Sequence, residues 1–240
     1  MDISGLTRLW RKQLKVKYCG AVIVAAGTAS RMGGIDKVMA KLQGEPVIVR
    51  SVRAFQECDA IQEIVIVTRE ELLVAVMGLC AKFSKVKAVV VGGSNRMESV
   101  HAGMNALSTK VRLAAIHDGA RPLVSWQVID RTVRAASAYG AAAPAVPVKD
   151  TIKLVEGGLV TQTPDRSLLR AVQTPQVFDF DLLRGALNQA KKDGAEVTDD
   201  CSCVERIGFK VKIVEGEERN IKITTPMDMK IAALYLEESV

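Results

Sequence analysis

The chain has 240 residues, of which 48% are hydrophobic and 25% charged, and its formal net charge is +6. This length and composition suit one large α/β domain with a full core and leave little room for a second independent domain. Because no apolar run approaches the roughly 20 residues that a membrane helix needs, we expect no membrane insertion and no secretory signal.

The first eighteen residues form a basic leader, and without it the chain carries a charge of only about +2. We predict a basic N-terminal extension over residues 1–18 and a single domain over residues 19–240. Since the excess charge lies in the leader and aromatic residues make up only 4% of the chain, we expect no nucleic-acid partner. The basic residues of the leader, opposed by Asp2 alone, are Arg8, Arg11, Lys12, Lys15 and Lys17.

Continuous apolar runs rich in β-branched residues follow the leader and predict strands buried on both faces of a parallel sheet. Helical patterns fill the intervals. One begins at Pro46, a residue favoured at the first helical position, and another is capped by Ser125 and runs towards Tyr139. This alternation predicts right-handed βαβ crossovers in a doubly wound, mostly parallel α/β sheet, with ligands bound beyond the carboxyl ends of its strands. The predicted strands span residues 20–25, 63–67, 86–91, 113–117 and 141–146.

The segment after the first strand, AAGTASRMGG at residues 25–34, has the composition of a loop that holds phosphates. Its small residues let backbone N–H groups approach a polyphosphate, and Arg31 and Lys37 supply positive charge where the loop meets a helix. The segment is neither a P-loop, since GK[ST] is absent, nor a dinucleotide fingerprint, since no GxGxxG follows the strand. The alternative is a glycine-rich turn with two solvated cations.

Asp118 stands at the carboxyl end of the fourth predicted strand, within the sequence HDGARP. A carboxylate there, beside a glycine that admits close approach, suits a Mg²⁺ ion shared with substrate phosphates, so Asp118 is the candidate metal ligand. We interpret His117 as a hydrogen-bonded histidine at a strand end rather than a catalytic group. Arg121 is either a substrate contact or a surface ion-pair partner.

Several other polar segments are weak signals one by one. GGSNR at residues 92–96 precedes a helix that carries Ser99, and by itself it is ordinary turn chemistry. The later segments KDT, TPQ, TDD and NIK, with Arg166, together provide the cations and hydroxyls that a polar, phosphorylated substrate would need.

The pattern changes near Lys149, where TIKLVE, Gly157-Gly158 and LVTQT predict a β-hairpin inserted at about residues 148–172. An isolated hairpin is marginal in water, so we expect it to pack on something else, such as another subunit. A helix is predicted over residues 179–192, and segments over 211–215, 221–223 and 226–236 close the fold.

The five cysteines form an odd set without CxxC spacing, which indicates neither a disulfide framework nor a zinc site. We therefore expect reduced cysteines and a cytoplasmic protein.

Taken in order, the motifs resemble those of one family, the 2-C-methyl-D-erythritol 4-phosphate cytidylyltransferases of the non-mevalonate isoprenoid pathway. The resemblance spans about Cys19 to Leu236 and rests on AAGTASRM with Lys37, GGSNRMESV, HDGARP, VKDT, TPQVF, VTDD and NIKIT. It implies a Rossmann-like nucleotidyltransferase fold and transfer of the cytidylyl group of CTP to 2-C-methyl-D-erythritol 4-phosphate, with Mg²⁺ or another divalent cation and release of pyrophosphate. The hairpin resembles the family's dimerisation arm, which implies a homodimer whose arm reaches into the neighbouring subunit's site.

The resemblance also implies roles for individual residues. Arg31 and Lys37 would hold the CTP phosphates, and with the magnesium ligand Asp118 they form the catalytic set. The CTP-binding set, which recognises cytosine mainly through backbone groups, is Ala25, Ala26, Gly27, Gly93, Ser94 and Ser99. The substrate-binding set is Arg121, Asp150, Thr151, Arg166, Thr198 and Lys222. Two positions depart from the family pattern: Ser94 replaces a frequent acidic residue, and Val38 replaces the usual glutamine after Lys37.

Two other functions are alternatives to this one. Ribitol-5-phosphate cytidylyltransferase is a close relative with the same nucleotide half, and Thr151, Arg166 and Lys222 would accept either phosphate. A non-catalytic dimeric scaffold on the same fold is disfavoured, because Arg31, Lys37 and Asp118 are all retained.

Overall fold

An eight-stranded sheet organises the chain in the computed structural model, which describes residues 16–27 and 36–238. Two small two-stranded sheets accompany it. The strands are β1 (Cys19–Val24), β2 (Lys41–Leu42), β3 (Glu45–Pro46), β4 (Glu63–Thr68), β5 (Val86–Val91), β6 (Leu113–Asp118), β7 (Ala141–Pro147), β8 (Leu154–Glu156), β9 (Leu159–Gln162), β10 (Arg170–Val172), β11 (Gln176–Asp179) and β12 (Lys212–Glu215).

Helices cover both faces of the main sheet, and two short 3-10 turns lie at Glu70–Leu72 and Arg166–Leu168. None of the helices in the described ranges is both long and apolar enough to cross a membrane. The described helices are α1 (Val47–Glu57), α2 (Leu73–Cys80), α3 (Arg96–Asn105), α4 (Trp126–Tyr139), α5 (Phe180–Lys192), α6 (Asp200–Arg206) and α7 (Pro226–Glu237).

The main sheet runs in the order β10-β7-β11-β6-β1-β4-β5, and β12 also pairs with β7. Strands β1, β4, β5 and β6 are mutually parallel, as are β7 and β12, whereas β11 lies antiparallel between β6 and β7. The predicted doubly wound, mostly parallel sheet is therefore confirmed. The antiparallel strand β11 was not predicted, because its four residues offer too short an apolar pattern to stand out.

Strands β10 and β11 lie along the same edge of β7, with an irregular segment between them. Val172 pairs with Ala145 and Val177 pairs with Ala142, so residues 173–176 face only residues 143–144. The segment contains a cis peptide bond at Thr174-Pro175. It brings Thr174 beside the carboxyl end of β6, where its Oγ1 accepts a hydrogen bond from the backbone N–H of Asp118 at 3.1 Å.

Alternate residues of β1 enter two cores on opposite faces of the sheet. Ile23 packs in one core with residues of α1, α2 and α4, and Val22 packs in the other with residues of α3, α5 and α6. Both side chains are fully buried. The site-bearing ends of the strands are therefore fixed from two sides by close packing.

Helix boundaries follow local chemistry. Ser125 caps α4 as predicted, since its Oγ accepts a hydrogen bond from the N–H of Val128 at 3.2 Å. The expectation that Pro46 is the first helical residue was wrong. Pro46 has extended geometry with ψ near 139° and pairs with Lys41, so α1 begins one residue later.

The predicted hairpin is confirmed as β8 and β9, which pair antiparallel around Gly157 and Gly158. Every residue of both strands is exposed, and neither strand belongs to the main sheet. The hairpin therefore has no core of its own within one chain.

The predicted N-terminal extension falls largely outside the described residues, since residues 1–15 are not among them. The last residues of the extension contact the domain. The carbonyl oxygen of Tyr18 accepts a hydrogen bond from the N–H of Arg112 at 2.8 Å, and Lys17 lies 3.2 Å from Asp179.

All five cysteines are buried and free. Burial raises the pKa of Cys80 to about 11, and it raises the pKa of Cys203 to about 12, so both thiols stay protonated and unreactive at neutral pH.

Candidate active site

A cleft of about 320 Å³ lies beyond the carboxyl ends of β1, β5 and β6. This volume is at the lower end of the range of small-molecule sites, which is roughly 300–1,000 Å³. The cleft brings together nine of the predicted site residues from segments far apart in the chain. They are Ala25, Ala26, Gly27, Lys37, Gly93, Ser94, Ser99, Asp118 and Lys222.

Asp118 is an acidic residue of the cleft that contacts two basic side chains. Its Oδ1 accepts a hydrogen bond from Arg96 Nη1 at 2.7 Å, and its Oδ2 lies 2.8 Å from Lys222 Nζ. Burial alone would raise the pKa of Asp118, but the charges of Arg96 and Lys222 outweigh burial and hold that pKa well below its ordinary value. Asp118 is therefore ionised throughout the physiological pH range.

Arg96 joins Asp118 to a second buried carboxylate, that of Asp200. Arg96 Nη2 donates to Asp200 Oδ2 at 2.7 Å, so one guanidinium spans two acidic groups from different elements. Burial raises the pKa of Asp200, and Arg96 offsets part of that effect. For Arg96 itself, burial lowers the pKa, but the two carboxylates raise it above its ordinary value.

The site predictions missed both Arg96 and Asp200. Arg96 was visible as the last residue of GGSNR, directly at the start of α3, but only turn chemistry was inferred there. Asp200 follows the predicted Thr198 by two residues, yet its partner lies 104 residues away. Sequence spacing alone gives no signal for such a distant pair.

The loop over Gly93 and Ser94 is held by Glu98 of α3. Glu98 Oε2 accepts from the N–H and the hydroxyl of Ser94, at 2.9 and 2.8 Å. A Cβ added at Gly93 would stand 2.2 Å from the Cβ of Glu98, so only glycine fits this close approach.

Three of the groups predicted to recognise cytosine already have partners within the chain. The amides of Ala25 and Gly93 donate to Val67 O at 2.7 Å and to Ser99 Oγ at 3.2 Å. The Ser99 hydroxyl in turn donates to Asn95 O at 2.9 Å. Ser99 thus stabilises the loop. A base bound here would either donate to carbonyl oxygens or replace these internal hydrogen bonds with its own.

Lys37 enters the cleft beside Gly27, with its ammonium about 4.0 Å from the position that a Cβ of Gly27 would take. The turn that carries Lys37 is stabilised by Asp36, whose Oδ1 accepts from the N–H of Val38 at 2.9 Å. Val38 is buried in the same core as Ile23, and its carbonyl oxygen accepts from Ile48 N at 2.9 Å. The predicted catalytic residue Arg31 lies outside the described residues.

Of the predicted substrate-binding residues, Arg121 lies near the cleft but does not line it. Its Nη1 donates to Asn220 O at 2.7 Å, and its Nε stands 3.8 Å from Asp118 Oδ2. That Nε is buried and has no hydrogen-bond partner among residues 16–27 and 36–238. Thr198 is exposed just before α6.

His117 is fully buried at the end of β6. Its Nδ1 lies 3.0 Å from Thr174 Oγ1 and its Nε2 lies 3.2 Å from Arg121 O. Burial lowers the pKa of His117 to about 3, so the ring is neutral at physiological pH. These contacts agree with the interpretation of His117 as a structural histidine.

The remaining substrate-binding candidates lie on or beside the arm and do not line the cleft. Asp150, Thr151 and Arg166 are all exposed. Arg166 lines a separate open hollow with Lys149 and Arg170, and its Nη1 donates to the carbonyl oxygen of Lys149. Within one chain, the structure does not bring these residues to the cleft.

The donor groups of the cleft suit a magnesium ion only in part. Across the described ranges, no cluster of three or more histidine, cysteine or acidic side chains could hold a metal. Mg²⁺ is commonly bound by one or two carboxylates, with substrate phosphates and water completing its shell. Asp118 therefore fits an ion that the nucleotide phosphates share, but not one held by protein groups alone.

Known proteins resemble this chain over most of its length. The family model described as 2-C-methyl-D-erythritol 4-phosphate cytidylyltransferase matches residues 19–238. The enzyme of that name from Symbiobacterium thermophilum is 47% identical over 219 residues, which cover 90% of this chain and 92% of the relative. The one from Caldanaerobacter subterraneus is 46% identical, covering 91% and 98%.

Solved structures agree with these sequence matches. A 4-diphosphocytidyl-2C-methyl-D-erythritol synthase from Anaerococcus prevotii superposes with a TM-score of 0.85 at 31% identity, covering 93% of this chain and 98% of that one. A 2-C-methyl-D-erythritol 4-phosphate cytidylyltransferase from Thermus thermophilus gives a TM-score of 0.74 at 31% identity, with coverage of 92% and 99%.

Proposed function

The chain belongs to the 2-C-methyl-D-erythritol 4-phosphate cytidylyltransferase family, and from that premise we propose how its cleft performs the family's reaction. The enzyme transfers the cytidylyl group of CTP to 2-C-methyl-D-erythritol 4-phosphate in isoprenoid biosynthesis and releases pyrophosphate. The ribitol-5-phosphate alternative is not favoured, since relatives at 46–47% identity over about nine tenths of the chain carry the methylerythritol name.

One observation carries the assignment of the cleft as the active site. An ionised, buried carboxylate, Asp118, stands at the end of β6 among Arg96 and Lys222, and it shares its cleft with Lys37 and the Gly93 loop. Fixed charges in such a cleft stabilise developing phosphate charge without reorganisation.

The reaction needs no protein nucleophile. A phosphate oxygen of methylerythritol phosphate attacks the α-phosphorus of CTP, and the bond to the β-phosphate oxygen breaks in line with it. The attacking phosphate is already ionised at neutral pH. Catalysis then consists of holding two anions together and neutralising the charge that gathers on the α-phosphate.

We assign these tasks to named residues. Lys37 stabilises the charge on the α-phosphate, and Arg31, which lies outside the described residues, is assigned the supporting charge. Asp118 would hold the magnesium ion, which supplies charge neutralisation and orients the CTP phosphates when bound. Lys222, 2.8 Å from Asp118 and lining the cleft, faces the phosphate of the second substrate.

The rest of the substrate site is proposed to come from a second subunit. Thr151 and Arg166 lie on or beside an arm whose strands are wholly exposed and whose hollow is separate from the cleft. A homodimer in which each arm reaches the partner's cleft would join the two sets of residues. We also propose a cytoplasmic location, supported by five free, buried cysteines.

A pyrophosphate-release assay tests this function. The purified enzyme is given CTP and Mg²⁺ with methylerythritol phosphate, and in parallel with ribitol 5-phosphate, while UTP replaces CTP as the nucleotide control. We expect rapid release only with CTP and methylerythritol phosphate. Faster release with ribitol 5-phosphate would overturn the substrate assignment, and no release with either alcohol would overturn the activity.

A further inference from the structure

Arg69 contacts both Gly27 and Asp36, although it belongs to neither segment. It follows the last residue of β4 and precedes the 3-10 turn at Glu70–Leu72. Its Nη1 donates to the carbonyl oxygen of Gly27 at 3.1 Å, and its Nη2 pairs with Asp36 Oδ2. Its Nε donates to Glu71.

The two loop contacts flank residues 28–35. Gly27 is the last residue described before that stretch and Asp36 is the first described after it. Asp36 directly precedes Lys37, and its other carboxylate oxygen accepts from the N–H groups of Val38 and Met39 at 2.9 and 3.3 Å. One guanidinium therefore links Gly27, at the end of the first described range, to the turn that carries Lys37.

The burial of these groups makes the link stronger than an ordinary surface ion pair. The side chains of Arg69 and Asp36 are 20% and 19% exposed, whereas that of Glu71 is 65% exposed. Exposed pairs contribute little to stability, while a planar guanidinium with several partly buried acceptors holds a definite geometry. The contacts to Gly27 and Asp36 therefore fix the position of this part of the chain more than the contact to Glu71 does.

We propose that Arg69 is a positioning residue for the nucleotide phosphates, acting through Gly27 and Asp36 to fix Lys37 in the cleft. The proposal rests on the proposed function, since it takes the CTP phosphates as the ligand of the cleft that Lys37 lines. Arg69 itself does not line the cleft, so its effect is on geometry rather than on direct contact.

The chain offers matched variants around this one guanidinium. Asp36→Asn removes the charge that pairs with Arg69 but keeps an oxygen for the N–H groups of Val38 and Met39. Glu71→Gln removes the other carboxylate partner, which belongs to the 3-10 turn rather than to the loop. Arg69→Lys keeps the charge but loses the fork that reaches two acceptors at once.

The experiment measures CTP binding by calorimetry with Mg²⁺ present, together with kcat and the KM values of both substrates. We expect Arg69→Ala to lower kcat about tenfold, and Arg69→Lys and Asp36→Asn about fivefold, each with a smaller but measurable loss of CTP affinity, because the lysine that these contacts position acts most strongly on the charge of the transition state. The KM for methylerythritol phosphate should stay within about twofold, and Glu71→Gln should match wild type in kcat and CTP affinity.

A merely structural role would give a different pattern. Arg69→Ala would then lower the melting temperature with kcat and CTP affinity unchanged, or Glu71→Gln would lower kcat as much as Asp36→Asn, and either result would overturn the proposal. If Arg69→Ala fails to fold, Asp36→Asn against Glu71→Gln still decides the question.

A double-mutant cycle sharpens the test. If Arg69 acts through Asp36, then Arg69→Ala with Asp36→Asn should lower kcat no more than Arg69→Ala alone. Additive losses would show that the two residues act separately and would refute the stated route. Arg134→Ala, which removes an exposed arginine paired with Asp130 on α4, serves as the control for losing a surface charge. A wild-type enzyme without activity on CTP would refute the proposed function instead, so the two failures are distinguishable.

Discussion

The cleft and the arm are built in opposite ways. Around the cleft, Asp118 and Asp200 are nearly inaccessible and share Arg96, and the strands that carry these loops are packed on both faces. In the arm, every residue of β8 and β9 is exposed, and Leu159 and Leu168 are 75% and 80% accessible.

The difference shows which part of the site one chain can organise alone. The parallel sheet delivers the phosphate-binding charges to one place with fixed geometry, because the strand ends that carry them share a rigid edge. The arm offers apolar and basic side chains that a single chain leaves uncovered. Within one chain, the arm therefore lacks the packing that fixes the cleft.

The largest expected effect comes from removing the negative charge of Asp118. Asp118→Asn should lower kcat by at least about a hundredfold at ordinary Mg²⁺, the scale typical of losing a preorganised electrostatic group. Steady-state pyrophosphate release measures this. Asp130→Asn on α4 is the matched control, and turnover of Asp118→Asn at the wild-type rate would remove Asp118 from the catalytic set.

Lys37→Ala tests whether the cleft acts on the transition state. We expect kcat to fall by roughly tenfold to a hundredfold while the Kd for CTP changes less, because the α-phosphate gains charge during the reaction. Pre-steady-state kinetics and calorimetry separate the two quantities, with exposed Lys41→Ala as the control. A change confined to KM would make Lys37 a ground-state binding residue.

Mixing two impaired variants tests whether the cleft and the arm of one site come from different subunits. Lys37→Ala and Arg166→Ala enzymes should complement after subunit exchange, because half the dimers are mixed and each mixed dimer has one intact site. Recovery should approach roughly a quarter of wild-type activity. Exchange is verified by the mass of tagged chains. Exchange without recovered activity would show that each site is built within one chain.

The smallest expected effect concerns the loop that Glu98 holds. Gly93→Ala should weaken CTP binding about fivefold, since the new Cβ would displace Glu98 and break hydrogen bonds worth roughly 0.5–1.5 kcal/mol each. Gly185→Ala on α5, where an added Cβ meets nothing within 4 Å, is the matched control. Unchanged CTP affinity for Gly93→Ala would show that the loop adjusts freely.

The parallel part of the fold was predictable because buried parallel strands leave continuous apolar runs. Helix α2 was expected only in general terms, as a helix between two strands, since its sequence LVAVMGLC is apolar without a helical period, with Val74 exposed and Val76 buried. Strand β11 was missed because four residues after Pro175 look like a loop until tertiary pairing makes them a strand.

Part of the site was also predictable, because some of its residues follow the strands that the apolar runs predict. Lys37 and Asp118 follow predicted strands, and the rule that ligands bind at strand ends is enough to place them at one edge of the sheet. Arg96 and Asp200 form their pair across 104 residues, and that proximity exists only in the folded chain. The separation of Arg166 from the cleft likewise depends on where the arm projects.

The antiparallel placement of β11 imposes an order on folding during synthesis. Within the described ranges, strands β1, β4, β5 and β6 pair with one another and with β11, whereas the partners of β7 all come later in the chain. As the chain leaves the ribosome, β7 therefore has no strand to pair with while the arm is being made. At roughly 5–20 residues per second, the stretch from Pro147 to Asp179 takes about two to six seconds to synthesise, and strand pairing of β7 has to wait for it.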